Sequence, residues 1–447
     1  MFSNLRHALR RLNPRPQSGN FNLPAPGLYP YVREGGGERS RIHLRLDQDH
    51  SGLLLVNANR VVHLNPTAAL MAYLMLENTP LQEALDTLIA AYRVPRPQAK
   101  NDFDLLTSQL SELLRPEGAC PIHELDIETT LPFSARPSAP YRMDLALTYR
   151  CNNDCAHCYN DRPRDFRELS TQDWKIVLDK LWQQAIPHVV FTGGEPTLRS
   201  DLPELIAYAQ ANGQITGLNT NGRRLSDPAY VAELVKAGLD HVQITVESHL
   251  AHIHDAMVLT RGAWKQTIAG VQNALDTPLY VMTNTTMLRQ NSPHLAGTLD
   301  YLANLGVPTI GLNALIYSGK GATVGTGLCE VELPALLELA RQKTDQYQQK
   351  LIWYTPTQYC HFDPMQLELG VKGCTAALYN MCIESDGSVL PCQSYYHPVG
   401  NILRDSWDSI WNHDLSISLR ERRYVVEKCR DCALLAECGG GCPLKQN

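Results

Sequence analysis

Three cysteines fall within eight residues in CNNDCAHCYN, at Cys151, Cys155 and Cys158, spaced C-x3-C-x2-C. Thiolates at this spacing are metal ligands, and their number is informative. Structural zinc takes four ligands, typically as two CxxC knuckles. Positions i, i+4 and i+7 of a helix share a face, so three packed cysteines are the bland alternative. Asn152, Asn153 and Asp154 make poor helix interior, which argues against it. Three thiolates suit a four-iron cluster in which one iron stays open to bind a ligand through an amine and a carboxylate. A second stretch, FTGGEPTL, supplies Gly193 and Gly194, where backbone can approach a ligand closely. Glu195 follows them as an acceptor for an ammonium group.

Eight of the 13 cysteines lie after residue 359. They read Cys374-x12-Gly387-x4-Cys392 and then Cys429-x2-Cys432-x5-Cys438-x3-Cys442, with Cys360 and Cys382 in addition. A zinc ribbon is the rival reading for the CxxC pair. Cys120 and Cys329 read as ordinary free thiols.

The elements that must position these groups separate by composition. HLRLDQDHSGLLLVNANRVVHLN reads as short strands, and Asn65-Pro66 as a helix start. Two further helical patterns follow, LQEALDTLIAAY and roughly Asp102 to Leu114. Residues 31–118 are thus expected to form a winged-helix-like α+β domain after an N-terminal tail (1–30), with a Pro-rich linker at 119–142. From 143 to 355, six strand patterns alternate with helical ones: 143–148, 188–192, 214–219, 241–246, 279–285 and 309–315. This predicts an α/β fold, a partial (β/α)6 TIM-like barrel with its chemistry at the C-terminal strand ends. Residues 356–447 read as an irregular iron–sulfur domain with one amphipathic helix, DSWDSIWNHDL, whose Trp407, Ile410 and Trp411 are core.

In this order and register the motifs resemble the radical S-adenosylmethionine (SAM) superfamily. His157 takes the place of the family's aromatic residue before the last cysteine. The resemblance implies a [4Fe-4S] cluster on Cys151, Cys155 and Cys158 and reductive cleavage of SAM to a 5′-deoxyadenosyl radical that abstracts hydrogen from a substrate. It further implies a cofactor site built from His157, Gly193, Gly194, Glu195, Pro196, Asn219, Asn221, Glu247 and Arg261. Arg261 would face the methionine carboxylate, and Glu247 stands where an Asp is more common. The C-terminal spacing is similar to the SPASM extension of peptide-maturing radical enzymes. By motif position, Cys374, Cys392 and Cys442 would hold a first auxiliary iron–sulfur cluster, and Cys429, Cys432 and Cys438 a second. The pattern's last cysteine is not found in the five residues after Cys442. Cys382 is the nearest extra thiol, for the first cluster, with Cys360 behind it. The stretch from LLLVNANRVVHLNPTA to LQEALDTLIAAY resembles the peptide-recognition domain related to the chaperone of pyrroloquinoline quinone biosynthesis.

Together these imply a maturase acting on a ribosomally made precursor peptide, its leader bound by the N-terminal domain, with ferredoxin or flavodoxin as electron donor. The product would be a C–C or C–S crosslink or another oxidation. A tetrapyrrole side chain or a folded protein such as a sulfatase is the alternative substrate. A metal-dependent DNA-binding regulator is the alternative of another class. Glu247, His249, Tyr317 and Lys320, at strand ends, are the candidate catalytic side chains. A net charge of −6 argues against nucleic acid as partner. No apolar run reaches the roughly 18 residues of a membrane span, and no secretory signal is evident. A cytoplasmic location is expected. The basic stretch MFSNLRHALRRLNPR reads as a frayed terminus, with contact to a membrane surface or partner as the alternative.

Overall fold

The computed structural model describes residues 23–35, 38–57, 60–114, 137–161 and 164–445. Cys120 and the basic N-terminal stretch lie outside them. The chain divides into two compact units, residues 1–138 and 139–447.

In the first unit, β1 (Gly27–Gly35), β2 (Glu38–Leu46), β3 (Gly52–Val56) and β4 (Arg60–Leu64) form an antiparallel meander in that order. Helices Pro66–Leu76, Leu81–Tyr92 and Arg96–Leu113 follow. Alternation along β2 puts Ile42, Leu44 and Leu46 against Ala69, Ala72 and Leu110 in one buried cluster. Asn65 caps the first helix, its Oδ1 accepting from Ala68 N at 2.9 Å, with Pro66 at the first helical position. The strand β1 was not expected, because Pro30 interrupts its pattern. Pro30 is tolerated because β1 is an edge strand, where a missing N–H need not break a ladder.

The second unit is built on one ten-stranded sheet. Its centre is a parallel run of β5 (Arg142–Thr148), β6 (His188–Gly193), β7 (Ile215–Thr220), β8 (His241–Thr245), β9 (Tyr280–Thr286) and β10 (Thr309–Asn313). These are the six expected strands, within two residues at most ends. β6, HVVFTG, is buried throughout, whereas β8 alternates, with Val242 and Ile244 buried and Gln243 and Thr245 half-buried along a cavity. The outer helices cover one face; Ser170 and Asp173 form a capping box at the start of Thr171–Gln183. Leu202–Asn212 and Pro228–Ala237 end on Gly213 and Gly238, both at positive φ. Trp174, Phe191, Leu205, Val242 and Ile310 are fully buried in the resulting core.

Four strands lie beyond the expected set. β11 (Lys350–Trp353) extends the parallel run next to β10. On the other side β12 (Asn380–Ile383), from the cysteine-rich segment, pairs parallel with β5, and β13 (Ser388–Leu390) and β14 (Gly400–Asn401) follow antiparallel. The sheet runs from β11 to β14 without closing, which makes it a partial barrel. Expected as one helix, DSWDSIWNHDL is two: Trp407–Trp411 ends at Asn412, and His413 caps Asp414–Arg420 by accepting from Leu415 N. Ile410 and Trp411 are core, as expected.

At the N-terminal ends of the strands, His188 and His241 face each other, Nε2 to Nε2 at 2.8 Å. Gly217 makes room for this pair, since a Cβ there would lie 2.3 Å from the His241 ring. Burial, with Arg142 nearby, lowers His241 to about 4. A histidine held neutral in this way stabilises the fold above the ordinary histidine range and loses that contribution as pH falls through 6.5 toward 4. Between pH 7 and pH 4 the wild type is expected to lose roughly 2–3 kcal/mol more unfolding free energy than His241→Gln, by urea denaturation; parallel pH profiles would contradict this.

Candidate active site

The three clustered cysteines lie in the loop that leaves β5, at the C-terminal end of the barrel strands. Two contacts fasten this loop. On one side, Asp154 N and Ala156 N donate to Val258 O and Met257 O at 3.1 and 3.0 Å. On the other, the end of β6 is pressed against the backbone just before Cys151: Gly194 N donates to Thr148 O at 2.7 Å and Glu195 N to Arg150 O at 2.9 Å. A Cβ on Gly193 would sit 2.1 Å from Thr148 O, and one on Gly194 2.5 Å from Arg150 O. The glycine pair therefore admits the loop's own backbone. Gly193 also stands at φ +134, a region that side chains disfavour.

Glu195, expected as an acceptor for an ammonium group, is instead fully buried. Its Oε1 accepts from Thr197 Oγ1 and Thr220 Oγ1, each at 2.7 Å, and from Thr197 N at 3.1 Å, while Oε2 accepts from Asn221 N at 2.8 Å. Burial raises its pKa against the pull of these hydrogen bonds. The carboxylate thus ties the end of β6 to the end of β7. The tie places Asn221, whose Nδ2 reaches Asn152 Oδ1 at 2.6 Å and lies 4.0 Å from Cys151 Sγ.

Cys151, Cys155 and Cys158 line a common cavity of about 540 Å³. His157, Gly193, Gly194, Asn219, Asn221, Glu247 and Lys320 line it too. Burial pushes all three thiols up, and the thiolate is the form that binds a metal. Three soft donors lining a chamber of this size fit an iron–sulfur cluster with room for a further ligand. Glu247 is buried; its Oε1 meets His157 Nε2 at 2.9 Å and its Oε2 accepts from Thr286 N at 2.9 Å. Burial alone would lower the His157 imidazole, but Glu247 outweighs it and the pKa stands above the usual histidine value. Lys320 N donates to Cys158 O at 2.9 Å, and its Nζ pairs with Asp154 and, at 2.9 Å, with Asp161.

In the C-terminal segment, Cys374 and Cys392 pack on one apolar cluster with Ala376, Ala377 and Leu419. Burial raises both, Cys392 to about 11, and each feels Cys442 electrostatically. Cys382 is buried on β12 beside Ala146 and Leu390. Cys429 and Cys432 flank one turn, with Cys432 N on Cys429 O at 3.2 Å. Cys438 Sγ accepts from Tyr359 N at 3.3 Å; Cys360, the next residue, is exposed, as is Cys329.

Residues 145–313 match the radical SAM superfamily, 374–433 an iron–sulfur cluster-binding domain, SPASM, and 52–113 coenzyme PQQ synthesis protein D, PqqD. The mycofactocin maturase MftC of Mycolicibacterium smegmatis is 32% identical over 320 residues, which span 68% of this chain and 78% of MftC. The chain belongs to the radical SAM superfamily. The Fe-coproporphyrin III synthase of Methanosarcina barkeri is 27% identical over 324 residues, 66% of this chain and 81% of that one. In fold, the chain is similar to SuiB of Streptococcus suis solved with S-adenosylmethionine, at TM-score 0.67 and 17% identity, covering 90% of this chain and 94% of SuiB. A further SuiB structure, bound to the precursor peptide SuiA, gives TM-score 0.66 at 16% identity, over 93% and 96%.

The protein is therefore a radical SAM enzyme of oxidoreductase type. Its cofactors are SAM, a [4Fe-4S] cluster in the barrel and auxiliary iron–sulfur clusters. Some of the side chains expected at the site do not line the cavity. Arg261 is exposed and does not line the cavity, and neither do Glu195 and Pro196. His249 turns onto the helix Leu295–Asn304, its Nδ1 3.1 Å from Thr298 Oγ1. Tyr317 packs beside Met257, Leu288 and Leu315. Of the catalytic candidates, Glu247 and Lys320 remain at the cavity. Sequence reading missed Gln243, Asn284, Asn313 and Gln393, which line it. The first three sit on strands at inward positions, and polar residues inside otherwise apolar strands were the signal for them.

Gly194→Ala tests the pressed backbone contact of this radical SAM site. The nearest atoms the added Cβ would meet are all backbone, Arg150 O at 2.5 Å and Tyr149 O at 2.6 Å first, so the cysteine loop must move. A stability loss of about 1–3 kcal/mol is expected, together with loss of about four irons per chain after anaerobic reconstitution. Unchanged iron content would contradict the assigned contact.

Proposed function

We propose that this enzyme modifies a ribosomally synthesised precursor peptide, forming a C–C or C–S crosslink or another oxidised product. What carries the reading is one chain that joins a PqqD-type unit to a radical barrel and a SPASM segment. MftC, named a maturase, and SuiB, solved with its precursor peptide, support it. Cys151, Cys155 and Cys158 hold the barrel cluster. Cys374, Cys392 and Cys442 hold the first auxiliary cluster and Cys429, Cys432 and Cys438 the second. When bound and reduced, cluster and cofactor supply a 5′-deoxyadenosyl radical that takes a hydrogen atom from the peptide.

The protein's own residues do the rest. Glu247 holds the His157 ring by its Nε2, and Asn221 and Asn219 present amides to the cofactor's polar end. Lys320, braced by two aspartates, fixes the turn carrying Cys158. The N-terminal unit captures the leader as an added strand on a sheet edge. Such tethering raises the effective concentration of the core peptide toward millimolar. A ferredoxin or flavodoxin delivers the reducing electron. The relative that makes Fe-coproporphyrin III favours a second reading, a tetrapyrrole side chain as substrate.

Cys155→Ala is expected to abolish 5′-deoxyadenosine release under dithionite. Deleting residues 1–118 is expected to lower peptide modification by roughly 100-fold or more at limiting peptide, followed by mass spectrometry, with 5′-deoxyadenosine release retained. Undiminished modification by the deletion variant would overturn the recognition role.

A further inference from the structure

The charges around the barrel cavity are unevenly placed. Among the described residues, every strand-borne residue lining it is a threonine, an asparagine, a glutamine or a glycine. Gln243 and Thr245 of β8, Asn284 and Thr286 of β9 and Asn313 of β10 form a belt on three neighbouring strands. Asn313 Nδ2 donates to Asn284 Oδ1 at 3.1 Å, which fixes the orientation of both amides and leaves the Asn313 oxygen for a ligand. The ionisable lining groups other than the cysteines and tyrosines all lie off the strands, and each faces a group of opposite charge, two aspartates sharing one lysine. Lys320 meets Asp154 and Asp161, His157 meets Glu247, and Arg164 lies 3.5 Å from Glu384.

From this arrangement we infer that the peptide residue modified in the barrel has an uncharged side chain, held with its flanking backbone amides by the belt of Gln243, Asn284 and Asn313. A carboxylate or ammonium brought to the belt loses its water and finds only dipoles on these strands, because the protein's nearby ionic side chains already have partners. A neutral side chain or a backbone amide exchanges one set of neutral hydrogen bonds for another at little cost. The belt is thus a specificity element for the substrate, separate from the thiols and from the His157–Glu247 pair. The inference rests on the peptide reading proposed above and narrows it to a class of target residue.

The test uses the full-length reconstituted enzyme with its precursor peptide, and tandem mass spectrometry to locate the modified residue. The target is expected to be uncharged. Precursor variants that place Asp, Glu or Lys at that position are expected to be modified at least about 100-fold more slowly than those with Asn or Gln, since buried polar partners left unmatched discriminate to that extent or more. In the enzyme, Gln243→Glu is expected to raise the ratio of Lys-target to Gln-target modification tenfold or more. A charged native target, or charged and neutral variants modified within threefold of each other, would overturn the inference and leave the peptide reading standing. No modification of any precursor, by enzyme that still releases 5′-deoxyadenosine, would remove the peptide reading itself and this inference with it.

Discussion

Everything at this site depends on a backbone-to-backbone contact that side chains would prevent. The end of β6 presses on Thr148–Arg150 closely enough that a Cβ at 193 or 194 would overlap a carbonyl oxygen. That contact sets where the chain leaves β5, and so where Cys151 begins its loop. Glu195 then carries the constraint sideways, four hydrogen bonds joining the β6 end to Thr220 and Asn221. Three strand ends are locked to one another before any cofactor is present. Preorganisation of this kind matters because cluster ligands held on a loop must keep their geometry when iron, cofactor and substrate are exchanged.

The same accounting explains how ionisable groups are tolerated inside the barrel. A buried carboxylate is costly unless its oxygens are satisfied. Glu195 meets this with four donors, and Glu247 with an imidazole and a backbone N–H. The three thiols are also pushed up by burial, against backbone N–H groups of their own loop that favour the charged form. Paired carboxylates thus belong to the scaffold and the clustered thiols to the metal site, and the neutral belt on β8, β9 and β10 marks a third region, the one inferred to face the substrate.

Much of this was legible in the sequence, for identifiable reasons. The C-x3-C-x2-C loop is a local motif, and the six parallel strands are short, mostly buried stretches, so each stands out between helical patterns. β1 was hidden by Pro30, because edge position cannot be read from one strand's pattern. β11 and β12 are four residues each, and β12 owes its existence to a partner, β5, more than 200 residues away. Side-chain direction was the weakest point. His249 and Tyr317 follow strand ends as catalytic groups do, yet they turn onto Thr298 and into packing, and Arg261, expected to face the methionine carboxylate, is exposed. GGEP places Glu195 at a strand end, as a ligand-facing carboxylate would be, and only the positions of Thr197, Thr220 and Asn221 show that it ties β6 to β7. The belt of Gln243, Asn284 and Asn313 was visible as polar residues in apolar strands, but their convergence on one cavity is a property of the barrel.

The central claim is that Cys151, Cys155 and Cys158 hold a cluster with one iron open to SAM. It is tested most directly by electron paramagnetic resonance of the reduced enzyme in which Cys374, Cys392, Cys429, Cys432, Cys438 and Cys442 are all replaced by Ala. The account predicts one reduced four-iron signal whose g-values shift when SAM is added. A signal that SAM leaves unchanged, or the absence of any cluster in that variant, would contradict it.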